Sequence, residues 1–248
     1  MMKQLNKTNL GWLILIALMV VVLFVGVSSN VISPFYQITL VTILINVILA
    51  IGLNLVIGFS GQFSLGHAGF MAIGAYSGAI IGDKIEGLPG FFAGLFVGMF
   101  ISIVVALIVG IPTLRLKGDY LAIATLGVAE IIRILILNMG DLTNGARGIS
   151  GISFPFESNM SFIMVLFLIV IVTSIITINY IHSSPGRATI AIREDEIAAE
   201  SMGVNATTYK VIAFMIGAAT ASIAGSLDGT YFSVITPGDF TFQKSIDV

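Results

Sequence analysis

Few residues in this chain are equipped for chemistry, and they fall in three places. Glu130 and Arg133 stand three apart in a long apolar run, on one helical face where carboxylate and guanidinium could pair. Ionisable groups inside a membrane span usually face the bundle interior and are functional candidates. Arg133 lies about five residues, ~7 Å, from the helix end near Asn138, so snorkelling to the surface is the other reading. The second place is GLNLVIGFSGQFSLGHAGFMAIGAY, Gly52 to Tyr76, where Asn54, Ser60, Gln62, Ser64 and His67 fall among glycines with no charge nearby. Gly-interrupted segments at membrane depth often mark transport sites; a hairpin whose polar groups see water is the alternative. A metal centre wants three or four ligands, and the other histidine, His182, is far along the chain. His67 therefore reads as a hydrogen-bonded packing residue, and no metal is expected.

The third place is the long polar run from His182 to Lys210, HSSPGRATIAIREDEIAAESMGVNATTYK, through which any soluble partner must engage. Ser183 to Gly186 predict a turn, and a short helix follows. Glu194, Asp195 and Glu196 suit its first turn, where exposed N–H groups favour negative charge, and Gly203 suits its C-terminus. Ile197, Ala198 and Met202 then share one side. Too short to cross a bilayer, such a helix should lie against something. Catalysis finds no support: GxxxxGK[ST], HExxH and GxSxG are all missing, so energy from ATP would have to come from another polypeptide.

The elements that must position these residues are membrane spans. With 57% hydrophobic residues, 10% charged and a mean hydropathy of +1.06, the chain is not a soluble domain. No Asp, Glu, Lys or Arg occurs between Thr8 and Gly82. A net charge of −2 argues for no nucleic-acid partner, and the lack of cysteine excludes disulfides and thiol chemistry while fitting a bacterial inner membrane. Spans need about 20 apolar residues, and seven are expected at 10–27, 37–57, 64–82, 91–111, 119–139, 161–181 and 208–227. The first reads as a retained span, since no small-residue cleavage pattern follows it. With the N-terminus cytoplasmic, Lys3, Lys7, Arg115, Lys117, Arg187, Arg193 and Lys210 lie inside, and only Lys84 and Arg147 outside. The loop 182–210 then faces the cytoplasm within a single transmembrane domain, 1–248.

Small residues predict how the spans pack. Gly90, Gly94, Gly98, Ser102, Ala106 and Gly110 recur every four residues, as do Gly74, Gly78 and Gly82, and Gly217, Ala221 and Gly225. Lipid supplies no hydrophobic drive for helices to associate, so close backbone approach along such stripes must supply the contact. The loop MGDLTNGARGISGISFPFES, from Met139, could be a docking surface or a connector.

Four blocks in order, GLNLVIGFSGQFSLGHAGFMAIGAY, GDYLAIATLGVAEIIRI, LTNGARGI and SPGRATIAIREDEIAAESMGVN, resemble the permeases of branched-chain amino acid ABC importers, the LivM type, over about 40–248. The resemblance implies an all-α polytopic bundle that is C-terminally incomplete, since family members continue with further spans. It also implies that Ala191 to Val204 is a coupling helix docking in a groove of an ATPase, with Arg187, Glu194, Asp195, Ala198, Ala199 and Gly203 at the motif positions. Asn54, Gln62, Ser64, His67, Glu130 and Arg133 are the candidates for the translocation path. The implied partners are a second related permease, two ABC ATPases that hydrolyse the ATP, an extracytoplasmic substrate-binding protein and the bilayer. Competing expectations are a permease of the same family for urea or short amides, an ion-coupled secondary transporter using Glu130, and a membrane enzyme or scaffold.

Overall fold

The computed structural model describes residues 33–116 and 118–247; the expected span 10–27 and the basic residues Lys3, Lys7 and Lys117 lie outside them. Long apolar runs become helices because a helix satisfies its own backbone hydrogen bonds where water cannot. Helix α1 (Pro34–Asn54) begins with proline in its first turn and runs on as a π-helical turn, Leu55–Phe59. Helices α2 (His67–Lys84) and α3 (Leu88–Thr113) are joined by a tight link whose Gly87 has φ +81°, a conformation open to glycine. Then come α4 (Asp119–Asn138) and α5 (Asn159–His182), followed by short α6 (Ser184–Glu194) and α7 (Glu196–Ser201). Helix α8 (Ala206–Phe232) is capped by Asn205, which accepts from the Thr208 N–H at 3.0 Å, and α9 is Phe242–Ile246. Strands β1 (Ile149–Ser150) and β2 (Val234–Ile235) pair antiparallel. The fold is an all-α bundle.

Five of the described helical segments are long and apolar enough to cross a membrane: Pro34–Phe59, α3, α4, α5 and α8. Helix α2, expected as a span, is not among them, because His67, Asp83, Lys84 and its many small residues lower its hydropathy. Its position explains this. Residues His67 to Ala72 and Gly74 to Ala79 are all buried, so α2 meets protein where α3 and α5 turn Phe100 and Leu168 outward.

The glycine stripes work as close contacts. A Cβ on Gly94 would come within 2.9 Å of the Gly78 Cα, and one on Gly98 within 3.2 Å of the Gly74 Cα, so α2 and α3 touch backbone to backbone. On its other side α2 meets α8: a Cβ on Gly74 would collide with the Ser222 carbonyl, and one on Gly225 with the Met71 carbonyl. Ser226 donates to the Gly74 carbonyl at 2.8 Å across the same contact. Helices α2, α3 and α8 form the tight centre, α1 packs on α8 and α5 on α1, and α4 lies against α2.

Beyond α8 the chain turns at Ser233 (φ 57°) and runs back along α2. Ile235 lies beside Gly229, Phe240 rests on Tyr76 with ring centroids 6.3 Å apart, and Ser245 reaches Ala68. A capping box at Thr236 and Asp239 organises the turn of this return. The loop after α4 is ordered: Thr143, 1% exposed, donates to the Ile136 carbonyl at 2.6 Å, the loop pairs with the returning strand, and Phe154 and Phe156 pack on Phe162.

Candidate functional site

Two regions hold most of the sequence-predicted residues. The first is the segment Ser60 to His67. The π turn at Leu55–Phe59 releases the chain from α1, and π-helical turns recur at functional sites. Gly61, at φ +68°, turns it beneath the Arg193 side chain. Gln62, 1% exposed, donates through its amide nitrogen to the Lys210 carbonyl at 3.0 Å and to Ser60 Oγ. The Leu65 N–H donates to Thr125 Oγ1 at 3.0 Å. Thr125 is six residues into α4, ~9 Å from its start at 1.5 Å per residue, so α2 begins well below the end of its neighbour.

At that recessed start the Ser60–Gly66 segment and the returning C-terminal helix α9 meet. The Ala68 N–H, one of the orphan donors of a helix's first turn, donates to Ser245 Oγ at 2.9 Å. Ser64, His67, Thr125 and Ser245 are all buried here, at 4%, 4%, 1% and 4% exposure. His67 Nε2 and Gln62 Oε1 have no hydrogen-bond partner. The hairpin-in-water alternative fails for Gln62, Ser64 and His67, which are covered by protein. Irregular backbone at membrane depth is tolerated under such cover, and it recurs where transporters bind cargo.

The remaining path candidates stand apart from these three. Asn54 is exposed at the end of α1, and its side chain crosses Gly58. Glu130 and Arg133 do pair, Nε to Oε2 at 2.9 Å with a second contact from Nη2 to Oε1, but on a partly exposed face of α4, with side-chain exposures of 42% and 24%. Thr125 and Ser245 were missed. The TxxD spacing at Thr236–Asp239 is the sequence signal that the tail keeps turning rather than trailing away.

The second region is α6 and α7. In place of the expected turn at Ser183–Gly186 followed by one helix over 191–204, Ser183 caps α6 directly, accepting from the Gly186 N–H at 3.2 Å. The break falls at Asp195, which is extended (φ −154°, ψ 106°) and accepts from the Ala198 N–H at 3.0 Å to start α7. A carboxylate competing for backbone donors ends one helix and caps the next. Gly203, at φ +84°, ends α7 as expected. Ile192, Ala199 and Ala206 form a small core of their own with Val204 and Tyr209, which ties α7 to the first turn of α8. Of the two alanines, Ala199 is buried and Ala198 exposed. Arg187 donates to the His182 carbonyl at 2.8 Å, and Glu194 accepts from Arg193. Ile197 and Met202, at 75% and 85% exposure, flank Ala198 on the open side.

Gly61→Ala should lower the thermal midpoint of the solubilised protein by several degrees with helix content unchanged. A Cβ there would strain a left-handed backbone and press on Arg193 Cγ at 2.7 Å. Circular dichroism melting checks it, and an unchanged midpoint would mean the Gly61–Arg193 contact is loose.

Five long apolar helical segments packed around a buried sixth helix, with a polar element of two short helices beside them, define a polytopic α-helical membrane protein. The chain belongs to the family described as "Branched-chain amino acid transport system / permease component", which matches residues 35–248. It is similar to the "High-affinity branched-chain amino acid transport system permease protein LivM" of Salmonella typhimurium and of Escherichia coli, at 37% identity over 231 residues, covering 82% of this chain and 54% of each relative. It is also similar to the LivH permease protein of Escherichia coli, at 27% identity over 213 residues, 77% of this chain and 68% of the relative. The chain thus spans about half the length of the LivM relatives it matches. No solved structure matches it.

Proposed function

We propose that the chain acts as a permease subunit of an ATP-driven importer that carries branched-chain amino acids across a bacterial cell membrane. The observation that carries this reading is the apolar tip of α7, exposed on a polar element and braced to α8 by Ile192, Ala199 and Ala206. A protruding patch fixed to a core helix can pass a push into the bundle. A separate ATPase docks there from the cytoplasm, hydrolyses the ATP, and biases the bundle between inward- and outward-open states. A second ATPase serves a second, related permease, and an extracytoplasmic binding protein delivers the cargo. The chain itself catalyses no reaction.

Glu130 and Arg133 fit the same assembly. An ion pair half-exposed on a span is unfavourable against lipid, so this face of α4 meets the second permease or the path between the two. Glu130→Ala or Arg133→Ala alone should reduce recovery of the assembled complex more than the double substitution, because each single change strands one charge. Size-exclusion recovery of the four proteins reads this; purely additive losses would place the pair in water.

The test of the function is affinity purification from native membranes in mild detergent, with mass spectrometry of what remains bound, followed by reconstitution. Recovery of an ATPase and a related permease, with leucine uptake that needs both ATP and the binding protein, is the expected result. A chain recovered alone, or uptake driven by an ion gradient, would overturn it.

A further inference from the structure

Two opposite charges stand unpaired where the returning tail passes α8. Asp228 is the one acid of α8, and its neighbours fix its level. A Cβ on Gly225 would collide with the Met71 carbonyl, and one on Gly229 would come within 3.7 Å of the Ala75 Cβ. Asp228 is therefore level with the stretch of α2 four to eight residues beyond its recessed start, ~6–12 Å at 1.5 Å per residue. Lys244 lies in α9 next to Ser245, whose hydroxyl accepts from the Ala68 N–H in the first turn of α2 at 2.9 Å. Both charges thus sit deep in the bundle, on elements that pack against α2.

Neither charge is neutralised locally. Lys244 and Asp239 are the charged groups whose fields act on Asp228. Asp239 is committed to the capping box, where it accepts from the Thr236 N–H and hydroxyl at 2.9 Å each. Between Asp228 and Lys244 the attraction acts across a gap, because neither side chain has a hydrogen bond or a contact ion pair among the described residues. Both residues are half-buried, and the Asp228 carboxylate, unlike Gln62 Oε1, is not among the sealed polar atoms that lack a partner. A small molecule entering the gap can reach both.

An ionisable side chain held at membrane depth is costly, and such residues mark the paths of substrates. Glu130 and Arg133 meet that cost by pairing with each other, and Asp228 and Lys244 do not. An inorganic ion would satisfy one of the two and repel the other. A molecule with both an ammonium and a carboxylate satisfies both through charge-assisted hydrogen bonds, and carries no net charge of its own. We propose that Asp228 and Lys244 are cargo contacts of the translocation path, Asp228 taking the ammonium and Lys244 the carboxylate of an α-amino acid zwitterion. One contact belongs to α8, which is tied to α7 through Ile192, Ala199 and Ala206, and the other to the returning tail. A shift of α8 therefore changes the gap and releases the cargo. This assignment rests on the permease reading above, which supplies the cargo.

The test uses the assembled transporter. In proteoliposomes with the binding protein and ATP, Asp228→Asn and Lys244→Gln should each lower leucine uptake at least tenfold, with recovery of the complex unchanged. The double substitution should be no better than the worse single one, since each charge serves the cargo. Uptake restored in the double variant would mean that the two charges serve only each other, and overturns the assignment. The wild type is probed directly in nanodiscs without the binding protein, using a leucine analogue with a photoreactive diazirine in its side chain. Label mapped by mass spectrometry within residues 225–247 is expected, with 4-methylpentanoate, which lacks the ammonium, competing at least tenfold less well than leucine. Label only elsewhere, or uptake unchanged in both single variants, overturns the cargo contacts alone, and the labelling decides even if a variant fails to assemble. Failure of ATP-driven leucine uptake by the wild type overturns the permease reading and, with it, the cargo.

Discussion

Gly74→Val should leave almost no folded protein in detergent, whereas Gly82→Val on the same helix should be recovered close to the wild-type level. A Cβ at position 74 meets the carbonyl and Cα of Ser222 on α8, backbone atoms that no rotamer change can move, while at Gly82 nothing lies within 4 Å. Overpacking a core commonly costs about 1–3 kcal/mol when side chains can yield. Here α2 and α8 would have to separate, losing the Ser226 to Gly74 hydrogen bond and the neighbouring Gly225–Met71 approach, so a loss comparable to the whole stability, roughly 5–15 kcal/mol, is expected. Fluorescence-detected size exclusion of tagged variants gives the answer. Equal monodisperse peaks for the two valine variants would mean that α2 and α8 do not meet as described.

On the permease reading proposed above, Ala198→Glu should insert and fold normally yet lose ATP-driven uptake by at least tenfold, with hydrolysis by the proposed ATPase no longer tied to transport. Position 198 is exposed between Ile197 and Met202, so a charge there harms only what docks on it. Ala199→Glu should behave differently. Ala199 is 7% exposed against Ile192 and Ala206, and burying a carboxylate in that small core should melt α7 and lower the thermal midpoint as well as uptake. Uptake and melting measured on both variants separate docking from local stability. Wild-type uptake by Ala198→Glu would remove α7 from the coupling role.

The helix ends show how much of this was legible beforehand. The expected spans at 91–111, 119–139 and 161–181 fall within a few residues of α3, α4 and α5, because a run of apolar residues bounded by Gly, Pro, Asp or Ser has one helical solution. The stripe Gly94–Gly98–Ser102–Ala106 announced a packed face, and that face meets α2 and α8. Glu130 and Arg133 announced a pair from their spacing, since neighbours three apart on a helix meet wherever the helix sits.

What the sequence determined by itself was local: periodicity, length, the polar run at 182–210, the cap at Gly203, and family membership through four ordered blocks. Only the tertiary structure decided the depth at which α2 begins, the return of Thr236–Ile246 to its first turn, and the side of the bundle on which Glu130 lies. It also decided which of two adjacent alanines is buried and where Gln62 finds one partner and lacks another. Each of these depends on contacts between residues far apart in the chain, Ala68 with Ser245 or Gln62 with Lys210. A single sequence carries no term for such pairs. Their geometry is set by how closely glycine lets neighbouring backbones approach, and that follows from the packed bundle as a whole.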